Sequence, residues 1–276
     1  MTVEVPGDSA VGAGGDELSI RECSTVEEFD ECVALQREAF GLPDLELSPR
    51  RHLIVARSAG GFVLGAFAGG RLVGFVLNQV AVRRGGAGVG GAGREVIGYS
   101  HMMAVAKDYQ NRGVGARLKW AQRERALAEG VRFIRWTWDP VQSRNAHFNI
   151  NRLGVVVRSY AVNYYGTDYS TATGVFGEKL GLDSDRLVAE WHLSDPRVER
   201  LSRGERPAPR GEPAAAVEIP PEWSALLRQS PEAARSVLRS VREQFVGHFA
   251  AGLVCAGFER REGEGQRYLF YENAGG

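Results

Sequence analysis

The sequence predicts a mixed α/β fold, and three local patterns carry that prediction. Strand-like runs and helical runs follow one another up to about residue 165, in the order β-α-(α)-β-β-β-α-β-α-β. The β-rich segment at 60–82 is divided by the turn Ala68-Gly69-Gly70, which is typical of a β-hairpin. A strand-like run at 94–105 is followed by a short loop and then by an amphipathic helix at 113–130.

Each further element has a local signal. A helix over 24–41 is predicted by apolar residues at helical spacing and by a capping box, formed either by Ser24 with Glu27 or by Thr25 with Glu28. Alternating or β-rich residues predict strands at 17–23, 131–138, 155–166 and 186–193. A short helix is predicted at 143–154, a longer one after the cap Ser230, and a closing hairpin at 253–272.

The overall composition argues against several classes of function. The 276 residues carry 34 basic and 34 acidic side chains, so nothing in the net charge favours nucleic acid or an anionic membrane. No apolar run reaches the length of a transmembrane helix, and the N-terminus lacks the pattern of a secretory signal. We therefore expect a cytoplasmic protein with a disordered tail at residues 1–16. The cysteines, Cys23, Cys32 and Cys255, are expected to be buried thiols.

Two glycine-rich segments are candidates for binding a phosphate group. The first, at 85–93, contains the spacing Gly86-x-Gly88-x-x-Gly91 that is typical of dinucleotide-binding loops. That motif needs a strand before it and a helix after it, whereas this segment lies between two predicted strands. We therefore interpret it as a flexible connection within a hairpin.

The second segment, at 105–118, has the required order of strand, tight loop and amphipathic helix. Gln110, Gly113 and Gly115 fit the pattern Gln/Arg-x-x-Gly-x-Gly/Ala. Small residues allow an anion to approach the backbone, and successive N–H groups of the turn and of the helix start can bind it. This segment is the predicted phosphate-binding loop.

The stretch HMMAVAKDYQNRGVGARL at 101–118 resembles motif A of the GNAT superfamily of acyl-CoA-dependent N-acyltransferases. The order of elements over about 17–165 is also similar to that family. The resemblance implies a mostly antiparallel sheet, flanked by helices, whose fourth and fifth strands splay apart. It also implies acetyl-CoA or another acyl-CoA as co-substrate. No metal site is expected, because no metal-ligand spacing links His52, His147, His192 and His248. Residues 139–166 resemble an uncharacterised bacterial subgroup with an added C-terminal segment.

The resemblance further implies which residues hold coenzyme A. The backbone of three strand residues would bond the pantetheine arm: Met103, Ala104 and Val105. The following loop would hold the pyrophosphate through Gln110, Asn111, Arg112, Gly113, Val114, Gly115 and Ala116. Asn145 is expected to bond the pantetheine amides from the same helix face as Asn149, with Ser143 as a rival.

His101 is the predicted general base. An ammonium group is not a nucleophile at neutral pH, so the acceptor must lose a proton before it attacks a thioester. Histidine titrates in the right range for this task. His101 precedes Val105 by four residues, so regular alternation predicts that the two share a face of the strand. A histidine is similarly placed in arylalkylamine N-acetyltransferases; the alternative is a hydrogen-bonded core histidine.

The sequence departs from the family pattern at the general acid. The family commonly has a tyrosine on the helix after the fifth strand, but the corresponding position here is Ile150. Tyr164 is the candidate replacement, although it and its neighbours Tyr160 and Tyr165 also suit packing in a strand. Either another group protonates the thiolate, or the thiolate leaves unassisted.

The sequence favours an N-acyltransferase acting on a small-molecule amine or amino acid. Alternatives are a non-catalytic acyl-CoA-binding module, a protein-modifying enzyme, and a succinyltransferase in which Arg94 or Arg158 pairs with a second carboxylate. We predict an acyltransferase core at 17–165 and an extension at 166–276. The extension is either an embellishment of that domain, which we favour, or a half-domain completing the sheet. It includes a Pro-rich surface connection at 195–221, and a homodimer remains open.

Overall fold

The computed structural model describes residues 17–41, 44–84, 93–168, 181–260 and 265–273. It divides into two compact units, the first extending to Arg135 and also including 192–194 and 202–204, and the second containing the remaining residues after Arg135. The division between the units falls after Arg135, inside the strand Phe133–Trp138. The sequence predicts a domain limit at residue 165, and that limit stays a prediction. The tail at 1–16 lies outside the described residues, as does most of the glycine-rich segment.

The first unit is a sheet covered by helices on both faces. Its elements are β1 (Ser19–Glu22), α1 (Val26–Phe40), α2 (Arg50–Ser58), β2 (Phe62–Ala68), β3 (Arg71–Arg84), β4 (Arg94–Val105), α3 (Val114–Ala128) and the start of β5 (Phe133–Trp138). The strands lie in the order β1-β2-β3-β4-β5, antiparallel except for the parallel pair β4 and β5. This arrangement confirms the predicted mixed fold.

Local signals explain where these elements begin and turn. Thr25 caps α1 and forms the capping box with Glu28, which selects one of the two predicted alternatives. Gly69 and Gly70 take φ values of 54° and 81°, which a two-residue hairpin turn requires, and so connect β2 to β3. Arg84 pairs with Arg94, so the glycine-rich segment connects two antiparallel strands and no helix follows it.

The two faces of the sheet can be assigned from neighbouring residues of β3. Gly74 lies against α3, because a Cβ added there would be 3.1 Å from side-chain atoms of both Val114 and Leu118. Gln79 instead lies beside His52 of α2. Side chains of successive strand residues point to opposite faces of the sheet, so Gly74 and Gln79, five positions apart, lie on opposite faces. Therefore α3 covers one face, while α1 and α2 cover the other.

The second unit contains a further antiparallel set of strands. Its elements are the end of β5, α4 (Ser143–Ala146), β6 (Val156–Ala161), β7 (Thr167–Asp168), β8 (Leu182–Asp183), β9 (Arg186–His192), α5 (Pro196–Ser202), β10 (Ala215–Ile219), α6 (Trp223–Gln229), α7 (Pro231–Ala250), β11 (Leu253–Arg260) and β12 (Gln266–Glu272). The strands lie in the order β9-β6-β11-β12-β10. The helix α7 packs on this sheet with Leu238, Val241 and Phe245 buried. Ser230 caps it as predicted.

One prediction for this half of the chain is wrong in part. Residues 195–221 are not a continuous surface connection, because they include α5 and β10. Asp195 accepts a hydrogen bond from the N–H of Arg197 and precedes Pro196, which is the same helix-start signal that was recognised at Ser230. The segment also contributes buried side chains, among them Val198 and Val217.

Burial agrees with the composition-based expectations. All three cysteines are buried free thiols. Within the part of the chain that the structure describes, no helix is both long enough and apolar enough to cross a bilayer.

The buried carboxylate of Asp185 is expected to be a main determinant of the second unit's stability. It accepts hydrogen bonds from Tyr160 Oη at 2.7 Å, from the N–H of Asn163 at 2.9 Å and from Arg242 Nε at 2.8 Å. The change Asp185→Ala should lower the free energy of unfolding by about 3–5 kcal/mol, because it leaves buried donors unpaired. Asp183→Ala, which removes a half-exposed partner of the same arginine, should cost about 1 kcal/mol or less. Urea denaturation measures both, and equal losses would contradict this account.

Candidate active site

A short loop joins β4 to α3. It begins with one 3-10 turn at Lys107–Tyr109 and continues with Gln110 in an extended conformation. Asn111 and Gly113 then adopt left-handed backbone angles, with φ values of 62° and 80°. Glycine enters this region freely, and asparagine does so more often than other residues. The order of strand, loop and helix predicted for 105–118 is confirmed.

The start of α3 is open to an anion. Whereas α1 has a side-chain cap and acidic residues in its first turn, α3 begins after Gly113 with neither. A Cβ added at Gly113 would meet no atom within 4 Å, so the loop is uncovered on that side. The first N–H groups of a helix have no intrahelical acceptor, and the helix dipole is positive there. This end of α3 therefore has the geometry and electrostatics that bind a phosphate group.

The end of β4 lies beside the start of α3. Residues 103–105 pair with β3. In an antiparallel strand the backbone N–H and C=O groups of alternate residues point to opposite sides, so some of these groups point away from β3. A Cβ added at Gly115 would lie 3.5 Å from Met103 Cε and 3.9 Å from Val105 Cγ2. Gln110 Nε2 donates to the carbonyl of Val105 at 3.1 Å. The two sets of predicted coenzyme A residues in this unit are thus neighbours in space.

A β-bulge interrupts the pairing between β3 and β4. Leu77 pairs with Met102 and Asn78 pairs with Ser100, which leaves His101 as the extra residue on β4. An extra residue reverses the alternation of side chains beyond it. Regular alternation therefore cannot be used to relate His101 to the residues that follow the bulge.

The bulge corrects the predicted orientation of His101. The prediction that His101 and Val105 share a face is wrong, because Val105 lies beside Gly115 on the α3 face. His101 instead contacts Ser48 and His52 on the face that α1 and α2 cover. Its side chain therefore enters a polar cluster that the sequence analysis did not anticipate.

This polar cluster, the histidine cluster, consists of His101, Ser48, His52 and Gln79. Ser48 Oγ lies 3.1 Å from His101 Nε2 and 3.2 Å from His52 Nδ1. Gln79 Nε2 lies 2.6 Å from His52 Nε2. The two imidazole rings meet edge-on with centroids 5.3 Å apart, and the ring of Tyr99 lies 6.5 Å from that of His101. The four side chains form one unbranched chain of hydrogen bonds.

The surroundings of His101 favour its neutral form. Burial of the ring is the larger cause that lowers the pKa of His101, and repulsion from a charged His52 is the second. Among the described residues, no carboxylate forms a hydrogen bond with His101 that would oppose this shift. A neutral imidazole at pH 7 is the state that a general base requires.

A second polar cluster lies on the α3 face beside the bulge. Lys119 Nζ donates to Ser100 Oγ at 2.7 Å and to Gln122 Oε1 at 3.0 Å, and Gln122 Nε2 donates to Asn78 Oδ1 at 2.9 Å. Burial lowers the pKa of Lys119 to about 7. These contacts connect α3 to β3 and β4 at the bulge, so the cluster supports the backbone next to His101.

Two predicted site residues belong to the helix that follows β5. Asn145 is exposed and Asn149 is buried, and the prediction that the two face the same way stays a prediction. The helix changes from an α-helix to a wider π-helix at His147–Arg152. Ile150, at the position where the resemblance leads us to expect a tyrosine, is fully buried.

Tyr164 does not lie on a strand. The strand β6 ends at Ala161, and a turn follows in which Asn163 has a φ of 47°. Tyr164 is 48% exposed and contacts the ring of Tyr165 edge-on. Its role as a general acid stays a prediction. Arg158, considered for a second carboxylate, is already paired with Glu190 at 2.7 Å.

The sequence did not predict that Ser48, His52 and Gln79 lie around His101. A local signal existed for the first two, because residues four apart at the start of a helix face the same way. Their proximity to His101 depends on the packing of α2 against β3 and on the bulge in β4, and neither leaves a pattern in a single sequence.

Comparison with known proteins gives one family match. Residues 27–154 match the sequence model of the acetyltransferase (GNAT) family. No curated protein matches the sequence.

Three solved structures that are similar to this chain are described as acetyltransferases. The ribosomal-protein-S18-alanine N-acetyltransferase of Escherichia coli is 14% identical, with a TM-score of 0.49 over 65% of this chain and 96% of its own. A GNAT-family acetyltransferase of Streptococcus pneumoniae is 21% identical, with a TM-score of 0.45 over 63% and 98%. A GNAT-family acetyltransferase of Elizabethkingia anophelis, solved with acetyl-CoA bound, is 12% identical, with a TM-score of 0.45 over 63% and 97%.

Proposed function

Because this chain belongs to the GNAT acetyltransferase family through residues 27–154, we propose that it transfers an acetyl or other short acyl group from acyl-CoA to a primary amine of a small molecule or amino acid. One observation carries the proposal: the first unit holds both His101, a histidine on β4 whose surroundings favour its neutral form, and the start of α3, which has no side-chain cap. His101 supplies a base, and the loop before α3 supplies an anion site.

The loop fits the diphosphate of coenzyme A. Its N–H groups at residues 111–116 would bind the phosphate oxygens, and the left-handed angle at Gly113 turns the backbone into the helix. The backbone groups of residues 103–105 that point away from β3 would bond the pantetheine amides. Asn145 is proposed as a further contact to the same arm.

The proposed reaction needs one proton transfer before the attack. When bound, acyl-CoA supplies a thioester carbonyl carbon as the electrophile. His101 accepts one proton from the acceptor's ammonium group and later releases it to solvent. The amine nitrogen then bonds to the carbonyl carbon and the carbon–sulfur bond breaks. The second proton lost by the nitrogen ends on the departing sulfur, with Tyr164 as the proposed donor group.

The pH dependence of turnover follows from the surroundings of His101. The pKa of His101 is lowered, so the residue stays neutral at pH 7 and loses its function only when acid protonates it. We expect kcat to be constant above neutral pH and to fall with a midpoint below about 6.5, the ordinary histidine value. Stopped-flow or steady-state assays over pH 4.5–9 measure this midpoint. A midpoint clearly above 6.5 would contradict the assignment.

A thiol-release assay with acetyl-CoA tests the proposed function. Purified protein is mixed with a panel of amino acids, polyamines, arylalkylamines and a lysine-containing peptide, with an amine-free sample as control. Amine-dependent release of coenzyme A with a small amine supports the proposal. Tight binding of acetyl-CoA without release for any amine would instead support a non-catalytic binding module, and release with the peptide alone would move the acceptor class to proteins.

A further inference from the structure

Arg135 is a half-buried arginine of β5 that the proposed mechanism does not use. Its Nε atom is buried and has no hydrogen-bond partner among the residues that the structure describes. The guanidinium carbon lies 5.9 Å from the ring centroid of Phe133, which is near the limit for a cation–π contact. Buried polar atoms are normally paired, because an unpaired donor costs free energy. The side chain of Arg135 therefore holds an unused hydrogen-bond donor.

The residues next to Arg135 and its strand partner show which face of the sheet each side chain takes. Gly98 of β4 pairs with Ile134 of β5. A Cβ added at Gly98 would lie 2.9 Å from Ile134 Cγ1 and 2.9 Å from Asn78 Oδ1, and Asn78 accepts a hydrogen bond from Gln122 of α3. Gly98 and Ile134 therefore lie on the α3 face. Since successive side chains alternate, the next pair along the two strands points to the opposite face.

That next pair consists of Tyr99 and Arg135, and it shares a face with His101. Tyr99 and Arg135 are direct partners on the parallel strands β4 and β5. The ring of Tyr99 lies 6.5 Å from the ring of His101, on the face that α1 and α2 cover. Strands are about 4.8 Å apart and rise about 3.3 Å per residue, so the Cα atoms of Arg135 and His101 are about 8 Å apart. Arg135 thus lies one strand away from the proposed base.

The positive charge of Arg135 has no acidic partner in the described part of the chain. Arg83 shows the contrast: its guanidinium carbon lies 3.9 Å from the ring centroid of Phe133, and its Nε donates to Glu95 at 2.6 Å. Carboxylates and phosphates both offer oxygens that match two parallel N–H groups of a guanidinium. The diphosphate of coenzyme A is proposed at the start of α3, so a carboxylate is the anion that fits Arg135.

We propose that Arg135 binds a carboxylate group of a substrate and thereby selects the substrate class. This inference rests on the proposed acyl transfer. The carboxylate belongs either to the acceptor, which is then an amino acid, or to a dicarboxylic acyl group such as succinyl. In an α-amino acid the amine and the carboxylate share one carbon atom. An acceptor held by Nε–H and a terminal N–H of Arg135 therefore has its amine on the face of His101.

Nitrogen NMR of the arginine Nε–H groups tests carboxylate binding without turnover. Arg135→Lys assigns the Arg135 signal by its loss. We expect this signal to shift on titration with the Nα-acetyl derivative of glycine, phenylalanine or lysine, or with succinyl-CoA. The matched controls are the decarboxylated counterparts, such as N-methylacetamide for N-acetylglycine, and acetyl-CoA for succinyl-CoA. Inorganic phosphate is the control for any small anion.

Thiol release then separates the two sources of the carboxylate. Wild-type protein should show at least about tenfold higher kcat/KM for one carboxylate-bearing substrate: an amino acid over its decarboxylated amine, or succinyl-CoA over acetyl-CoA. Arg135→Gln should remove this preference by raising the KM of the preferred substrate about 10- to 100-fold. Turnover of the carboxylate-free counterpart should stay within about twofold. Arg158→Gln is the control, because Arg158 is already paired with Glu190 at 2.7 Å, and it should keep the wild-type preference.

The outcomes distinguish this inference from the proposed function. An Arg135 signal that no carboxylate shifts, or that phosphate shifts equally, would overturn the inference. So would acyl transfer without a carboxylate preference, or with a preference that Arg135→Gln retains. An Arg135 signal that shifts with carboxylates alone, in a protein that releases no thiol with any amine, would overturn the proposed function but not carboxylate binding. Should Arg135→Gln fail to fold, the NMR result and Arg135→Lys, which loses the paired N–H groups, decide.

Discussion

Replacing His101 with glutamine is expected to lower kcat by about 100-fold or more near neutral pH, with little change in the KM for acetyl-CoA. Glutamine keeps the size and polarity of the side chain but cannot accept a proton from an ammonium group. His101 lies outside the loop proposed to hold the diphosphate, so binding of the co-substrate should persist. Steady-state kinetics with saturating amine at pH 7.5 measures the effect.

A matched control is available in the second unit. His248, on α7, contacts the ring of Phe270 and belongs to no part of the proposed site. The change His248→Gln removes one imidazole in the same way and should leave kcat within about twofold, since nothing in the mechanism uses that residue. A loss of less than threefold in His101→Gln would remove His101 from the mechanism.

Introducing valine at Gly113 is expected to weaken acetyl-CoA binding by at least about tenfold. Gly113 has a φ of 80°, which a β-branched residue adopts only with strain of about 1–3 kcal/mol. The loop would relax to avoid this strain, and its N–H groups would no longer converge on the diphosphate. A loss of about 1.4 kcal/mol corresponds to a tenfold change in Kd, which calorimetric titration measures.

The opposite end of α3 provides the control for strain. Gly130 has a φ of 78° and, like Gly113, no atom within 4 Å of an added Cβ. Gly130→Val should therefore cost similar stability but leave the Kd for acetyl-CoA unchanged. Gly88→Val tests the glycine-rich segment that the sequence analysis rejects. An affinity loss in Gly88→Val, with Gly113→Val binding normally, would reverse the assignment of the phosphate-binding loop.

Much of the fold could be predicted because its signals are local. The capping box of Thr25 and Glu28, the Gly69-Gly70 turn and the Ser230-Pro231 helix start each act within a few residues. The loop at 110–116 can be predicted because a strand directly precedes it and a helix directly follows it, and both leave local patterns in the sequence. The three buried cysteines followed from their number and spacing alone.

The site around His101 could be predicted only in part. The sequence predicts that His101 is a histidine of β4. The bulge that turns His101 toward Ser48 arises from the register between β3 and β4. The change to a π-helix after Ala146 likewise has no clear sequence pattern. Contacts between distant segments, such as Gln79 with His52, depend on packing that single-sequence periodicity does not report.

The most direct measurement of the central claim is a crystal structure of the protein soaked with acetyl-CoA. The account predicts density for the diphosphate within hydrogen-bond distance of the backbone N–H groups of residues 111–116, at the start of α3. Density for the diphosphate at residues 85–93, or at any place remote from α3, would contradict it.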